Sequence, residues 1–189
     1  MGAYSYSQGL EAAVEAGIVK DAASAEAWIA DALHFSMGRM EAPVLWRLLH
    51  GESLNDFFAA SRETAELRAE TLQMGHSLKK LIEALGLGSV PEDAPAFPTA
   101  FAFAVRKLNI EPREAMVAYL WSWLENQVMA AIKALPLGQT AGQRILLSLG
   151  ERLEQIAKEA ETAEPANFIP GLAILSAKHE TQYSRLFRS

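Results

Sequence analysis

The sequence predicts an all-α protein, a single-domain helical bundle of roughly eight to ten helices spanning residues 1–189. Three observations lead there. Apolar residues recur at three- and four-residue spacing along most of the chain, separated by capping residues, glycines and prolines. No stretch alternates apolar and polar residues over a useful strand length, and no internal repeat is evident. A chain of 189 residues is long enough to bury roughly two-thirds of its unfolded surface in one core.

In order, Ser7 caps a short helix through Leu10, Val14 and Ala16, which Gly17 stops in a left-handed conformation. Ser24 caps a second, carrying Trp28, Ile29, Ala32, Leu33 and Phe35 and ending near Gly38. A third follows Pro43 with Val44, Leu45, Leu48 and Leu49, up to Gly51. Ser53 and Asp56 resemble a capping box ahead of Leu54, Phe57 and Phe58. The stripe these residues form is rotated from the next one, which fits either one long helix between two partners or, the reading preferred, a break or kink near Ser61.

The most charged run is Ser61 to Gly75. On a helix, Arg62, Glu66, Glu70 and Gln73 share one arc, read as the wet face with an Arg62–Glu66 pair one turn apart. Leu67, Met74, Leu78, Leu81, Ile82 and Leu85 fall on the buried side. Arg68 projects between the apolar stripe and the Ala65/Leu72 edge, so its charge needs a carboxylate, a carbonyl or a partner. The alternative to a solvated face is that Glu63 and Arg68 hold a buried polar contact or a partner site.

Gly86 ends that helix, and Leu87 to Pro98 is the main irregular connection. Pro98 opens a helix through Phe101, Phe103, Ala104, Val105 and Leu108, and Pro112 opens another. The latter, with Met116, Tyr119, Leu120, Trp121, Trp123, Leu124, Val128, Met129 and Ile132, is apolar over nearly its whole circumference and is the expected central helix. After Leu135 to Gln139, Thr140 caps one long helix carrying Ile145, Leu146, Leu149, Leu153 and Ile156. A loop over 161–170 leads to a terminal helix from Leu172 to Tyr183 and a tail over 184–189.

Composition narrows function. With no cysteine, disulfides and thiolate chemistry are excluded, which fits a reducing cytoplasm. Seventeen Lys and Arg against 23 Asp and Glu give a net charge of −6, without the basic stripe that nucleic-acid binding needs. The longest apolar runs, Ala100–Val105 and Ala115–Leu124, are too short to span a bilayer. No basic segment precedes an apolar one at the N-terminus, so no signal peptide is expected.

Chemical motifs are sparse. Gly138-Gln-Thr-Ala-Gly142-Gln lacks the spacing and the lysine of a phosphate loop, and His179-Glu180 begins a zinc-protease pattern without its second histidine. His34, His50, His76 and His179 form no pair that would preorganise a metal site on one helix face, so each is expected to be structural. Trp121 and Trp123 are expected in the core. Ser5 and Ser7 beside Tyr4 and Tyr6 have no general base nearby in sequence and read as a polar cap. The end, Arg185-Leu-Phe-Arg-Ser189, is unusual for a solvated tail because Leu186 and Phe187 want cover. It is either a segment that orders on docking, with Phe187 as its anchor and Arg185 and Arg188 seeking carboxylates, or a tail folded onto its own core.

Five stretches together resemble one family: Tyr4-Ser-Tyr-Ser-Gln-Gly-Leu-Glu11, Val14-Glu-Ala-Gly17, Arg62-Glu-Thr-Ala-Glu-Leu-Arg68, Pro136-Leu-Gly-Gln139, and His179-Glu-Thr-Gln-Tyr-Ser-Arg-Leu-Phe-Arg-Ser189. In this order they are similar to UreF, the urease accessory protein F family, with the last stretch the most specific. One departure is that family members usually carry a further N-terminal segment ending in a Leu-Pro-x-Gly-like turn before the first motif, and here it is apparently missing. The resemblance implies an all-helical, non-enzymatic maturation factor. Such a factor binds UreH (UreD in many bacteria), dimerises, recruits the GTPase UreG and regulates its GTP hydrolysis, so that nickel reaches apo-urease. GTP would be bound by UreG, and this chain would carry no cofactor of its own, nickel passing through the assembly. His179, Glu180, Tyr183, Arg185, Leu186, Phe187 and Arg188 would then form the UreH-side docking tail. Tyr4, Tyr6, Gln8, Glu11, Arg62, Glu63, Glu66 and Arg68 would shape the dimer and partner faces. The readings against which this is set are a helical cofactor-binding enzyme and a direct nickel carrier.

Overall fold

The computed structural model describes residues 3–189, and among these all regular structure is helical. A turn of 3-10 helix at Ala3–Ser5 precedes α1 (Leu10–Glu15), α2 (Ala22–Asp31), a π-helical segment (Ala32–Glu41) and α3 (Ala42–Leu49). There follow α4 (Asn55–Ala60), α5 (Ala65–Ala84), α6 (Phe97–Leu108), α7 (Pro112–Ala134), α8 (Gln139–Gly150), α9 (Leu153–Ala160) and α10 (Pro170–His179). No helix is long and apolar enough to cross a membrane among the described residues.

As expected, α7 is central: Met116, Leu120, Leu124, Val128 and Ala131 are fully enclosed, and α1, α2, α3, α8 and α9 pack around it. Pro112 stands at its first residue, where a missing N–H costs nothing. Pro98 does the same near the start of α6, and Asn109 ends that helix in the left-handed region. Trp121 departs from expectation. It lies half-exposed against Gly150 of α8, whose hydrogen leaves room for the indole.

The second and third predicted helices are one element. Asp21, not Ser24, is the cap: its Oδ1 accepts from the Ser24 N–H at 2.8 Å, with Ser24 the reciprocal member of the box. The chain then runs through Gly38 without stopping, its hydrogen bonds widened to the π pattern. Gly38 permits close approach, since a Cβ there would lie 3.2 Å from Ile156 of α9. The Ser53/Asp56 capping box is not formed. Asn55 instead accepts from the Ala96 N–H at 2.8 Å, tying α4 to the start of α6.

The break near Ser61 is present, and α5 restarts under a Thr64 cap whose Oγ1 accepts from Leu67 N–H. Leu81 and Leu85 lie exposed rather than on the buried stripe. The predicted last long helix is two. Gly138, not Thr140, precedes α8, and a turn at Glu151–Arg152 lets α8 pack on α7 and α2 while α9 packs on α7, α3 and the π segment. The terminal helix ends at His179, four residues short of expectation.

Gly75 sets the α5–α6 contact. A Cβ there would fall 1.9 Å from the Pro95 carbonyl oxygen and 2.7 Å from the Ala96 carbonyl carbon, both backbone atoms that cannot swing aside. Gly75→Ala is therefore expected to destabilise the fold by roughly 3 kcal/mol, seen as a lower urea midpoint with an unchanged slope.

Candidate functional site: a buried polar seam joining three motifs

The first motif, the charged run and the C-terminal segment, up to 182 residues apart, meet in one network. Its centre is His179, at the last residue of α10 and fully buried. Nδ1 lies 2.7 Å from Glu66 Oε2 and Nε2 lies 3.1 Å from Glu11 Oε2. Carboxylates only accept, so the arrangement is fully satisfied when both ring nitrogens carry protons. Glu11 also accepts from the main-chain N–H groups of Leu186 (2.7 Å) and Phe187 (2.9 Å), and Glu66 accepts from Arg185 Nη1 at 2.6 Å. Two acidic side chains therefore fix the course of the closing segment.

The segment continues as a strap over the first motif. Arg188 N–H donates to the Ser5 carbonyl, while the Ser7 and Gln8 N–H groups and the Ser7 hydroxyl all donate to the Ser189 carbonyl. Ser7 thus holds both ends, since its Oγ also accepts from Glu11 N–H as α1 begins. Of the two readings of the tail, the chain's own fold adopts the second. Phe187 is 6% exposed and Ser189 is enclosed, whereas Tyr183 and Leu186 (71% exposed) point outward and Arg188 is exposed.

Beside the strap, Glu70 accepts from Gln8 Nε2 at 2.8 Å and Ser189 Oγ at 2.7 Å, and Gln8 in turn accepts from Trp123 Nε1 at 2.7 Å. Tyr6 donates to Gln73. Further in, Arg62 donates to Glu41 at 2.7 Å, the Tyr119 hydroxyl donates to the other oxygen of Glu41, and Glu63 lies 3.8 Å from Arg62. The Arg62 guanidinium also sits over the Phe58 ring. Burial works against the charge on Arg62, but Glu41 and then Glu63 outweigh it and hold the group charged. Burial, followed by the Glu41 charge, pushes the Tyr119 hydroxyl well up.

These contacts overturn the wet face. Only 5% of the Arg62 side chain is exposed and Glu70 is buried. The helix starts at Ala65, so Arg62 leaves the wheel and reaches Glu41 instead of Glu66. Glu63 is largely covered beside it, while Arg68 is exposed with no ion pair among the described residues, so the contact considered for Glu63 and Arg68 does not form. Glu180 caps the start of α5 by accepting from Glu66 N–H, and Tyr4 is half-exposed over Lys133. Among the histidines only His179 is buried. Glu41 and Tyr119 had no signal as partners except that a buried arginine must find a carboxylate. No group of three or more His, Asp or Glu side chains among the described residues converges as metal ligands do.

Glu70 gives the seam a pH dependence. Burial is the main cause of its carboxyl being pushed up to about 7 from an ordinary 4.5, against the two hydrogen bonds that favour the charge. The folded state therefore holds a proton that the unfolded chain releases above 4.5, and stability falls as pH rises from about 4.5 to about 7. The loss is roughly 3 kcal/mol. Glu70→Gln can accept from Gln8 through Oε1 and donate through Nε2 to the Ser189 hydroxyl, and has no charge to bury. Its stability relative to the unsubstituted chain should be near zero at pH 5 and rise to roughly +3 kcal/mol at pH 8, measured by urea denaturation at each pH; parallel profiles would contradict the assignment.

A family model described as UreF matches residues 19–150. Similarity extends over the whole chain to three proteins each described as urease accessory protein UreF. The protein from Azoarcus sp. (strain BH72) is 52% identical over 210 residues, covering 100% of this chain and 90% of that protein. That from Dechloromonas aromatica (strain RCB) is 49% identical over 209 residues (100% and 92%), and that from Janthinobacterium sp. (strain Marseille) 49% over 208 (100% and 92%). The first, second and last motifs lie outside residues 19–150, and the similarity to these relatives extends over all three. The chain belongs to the UreF family of urease accessory proteins.

Proposed function

We propose that this chain is a non-enzymatic scaffold of urease maturation in the cytoplasm. It binds UreH or UreD, acts as a homodimer, and recruits and regulates UreG, which binds the GTP, so that nickel is passed as cargo to apo-urease. Family membership supports the maturation role. The observation that carries the partner reading is the strap. A network of Glu11, Glu66 and His179 holds a short segment in one fixed course. That segment carries Leu186 and Tyr183, two large side chains with nothing covering them. Exposed apolar side chains on a rigid, hydrogen-bonded mount suit a docking surface, because little ordering entropy remains to be lost on binding.

The docking residues divide by burial. Tyr183, Leu186 and Arg188 face outward and would touch UreH, whereas His179, Glu11, Glu66 and Phe187 would act by holding the strap in shape. Tyr183→Ala combined with Leu186→Asp should leave the stability measured by urea denaturation within about 0.5 kcal/mol of the unsubstituted chain and abolish co-purification with UreH. Phe187→Ala should instead cost about 3 kcal/mol of stability. Activation of apo-urease by nickel, GTP, UreH and UreG with and without this chain tests the whole reading, and equal activation in its absence would refute it.

A further inference from the structure

A cleft of about 290 Å³ opens beside the seam, between the first motif, the N-terminal half of α5, the start of α6 and the middle of α7. Leu67, Met74, Phe97 and Trp123 give it apolar and aromatic walls, while Glu41, Arg62, Glu70 and Asn126 give it polar ones. The exposed Glu125 lines it as well.

The polar groups are not balanced. Among the described lining residues Arg62 is the cation, and it is flanked by Glu41 at 2.7 Å and Glu63 at 3.8 Å. Glu70 and Glu125 have no ion pair among the described residues. Asn126 is 8% exposed and donates through Nδ2 to the Tyr6 carbonyl at 3.3 Å. Its Oδ1 has no donor among the described residues. What the carboxylates Glu70 and Glu125 lack is a cation, although Arg62, paired with Glu41, keeps two buried N–H groups, Nε and Nη2, without an acceptor. Each oxygen of Glu70 already takes one bond, from Gln8 and from Ser189, so a planar guanidinium finds no open pair of oxygens. An ammonium group has three donors, no acceptor and no fork to match, and its four-carbon stem packs well along apolar surface.

We propose that this cleft receives a lysine side chain of the partner protein, its ammonium beside Glu70 and Asn126 and its stem along Leu67, Met74 and Trp123. The partner half rests on the docking reading above; recognition of the lysine group does not. Binding is linked to pH through Glu70. The groups around that carboxyl are Tyr6 and Gln8 of the first motif, Glu41 at the end of the π segment, Arg62 before α5, Tyr119 of α7, and Ser189 of the strap, with Arg188 of the strap beside Tyr6. With Glu70 titrating at about 7, an ammonium that binds the ionised form gains affinity by about tenfold between pH 6 and pH 8.

The test uses N-acetyl-lysine methylamide as probe, with the norleucine analogue as an uncharged control of nearly the same stem. The readout is the indole N–H resonance of Trp123, whose partner Gln8 is bonded to Glu70. The lysine probe should saturate, bind at least about tenfold more tightly than the norleucine probe at pH 8, and weaken about tenfold at pH 6. Glu70→Gln should remove most of that pH dependence, and its co-purification with UreH should fall at pH 8. Equal binding of the two probes overturns the proposal and needs no variant to be seen. So does a pH dependence unchanged by Glu70→Gln, or lysine binding that Glu70→Gln weakens with no loss of UreH. If UreH fails to co-purify even with the unsubstituted chain, the docking reading fails and the partner half of this proposal with it, while the lysine probe still decides the cleft's chemistry.

Discussion

The bridge from Glu11 through His179 to Glu66 is the constraint on which the rest of the molecule depends. It joins α1, α5 and α10, three helices that share little sequence neighbourhood, through one fully buried ring. Glu11 then directs two main-chain N–H groups of the strap, which brings Phe187 into the core and the Ser189 carbonyl onto the first motif. Without this bridge, the buried Glu11 and the largely covered Glu66 carboxylates would face each other with only Arg185 and the strap's amides between them, an arrangement that loses several kcal/mol of stability.

Buried ionic networks rarely add much net stability, because the charges must first be stripped of water. What this one supplies is definition. An apolar contact tolerates sliding by a residue, whereas Glu11, Glu66 and Glu70 each meet specific donors at 2.6–3.1 Å and accept no other register. A scaffold that must present the same side chains to other proteins each time benefits from that. The Arg62–Glu41–Tyr119 contact does the same one layer deeper, fixing the end of the π segment to the turn before α5 and to α7.

Much of the architecture is readable from the residues. Pro98 and Pro112 mark helix starts, Gly17, Gly86 and Asn109 mark ends, and the rotated apolar stripes mark the break near Ser61. The seam was not readable in the same way. A helical wheel states which side chains share a face and says nothing of what that face meets. Glu66 and Glu70 do lie on a polar face of α5, but other polar segments from both ends of the chain cover it. The widened helix through Gly38 was equally hidden, because a glycine that admits Ile156 looks, in one dimension, like a glycine that stops a helix. Family motifs gave the residues of the site, and only the fold divides them into those that hold and those that face outward.

The strap also bears on how the molecule is made. Residues 185–189 pair with polar groups of Ser5, Ser7, Gln8 and Glu11 across a sequence separation of up to 182 residues. Because the entropy of closing so long a loop opposes such contacts, the strap is expected to settle onto a helical body whose local contacts have already formed.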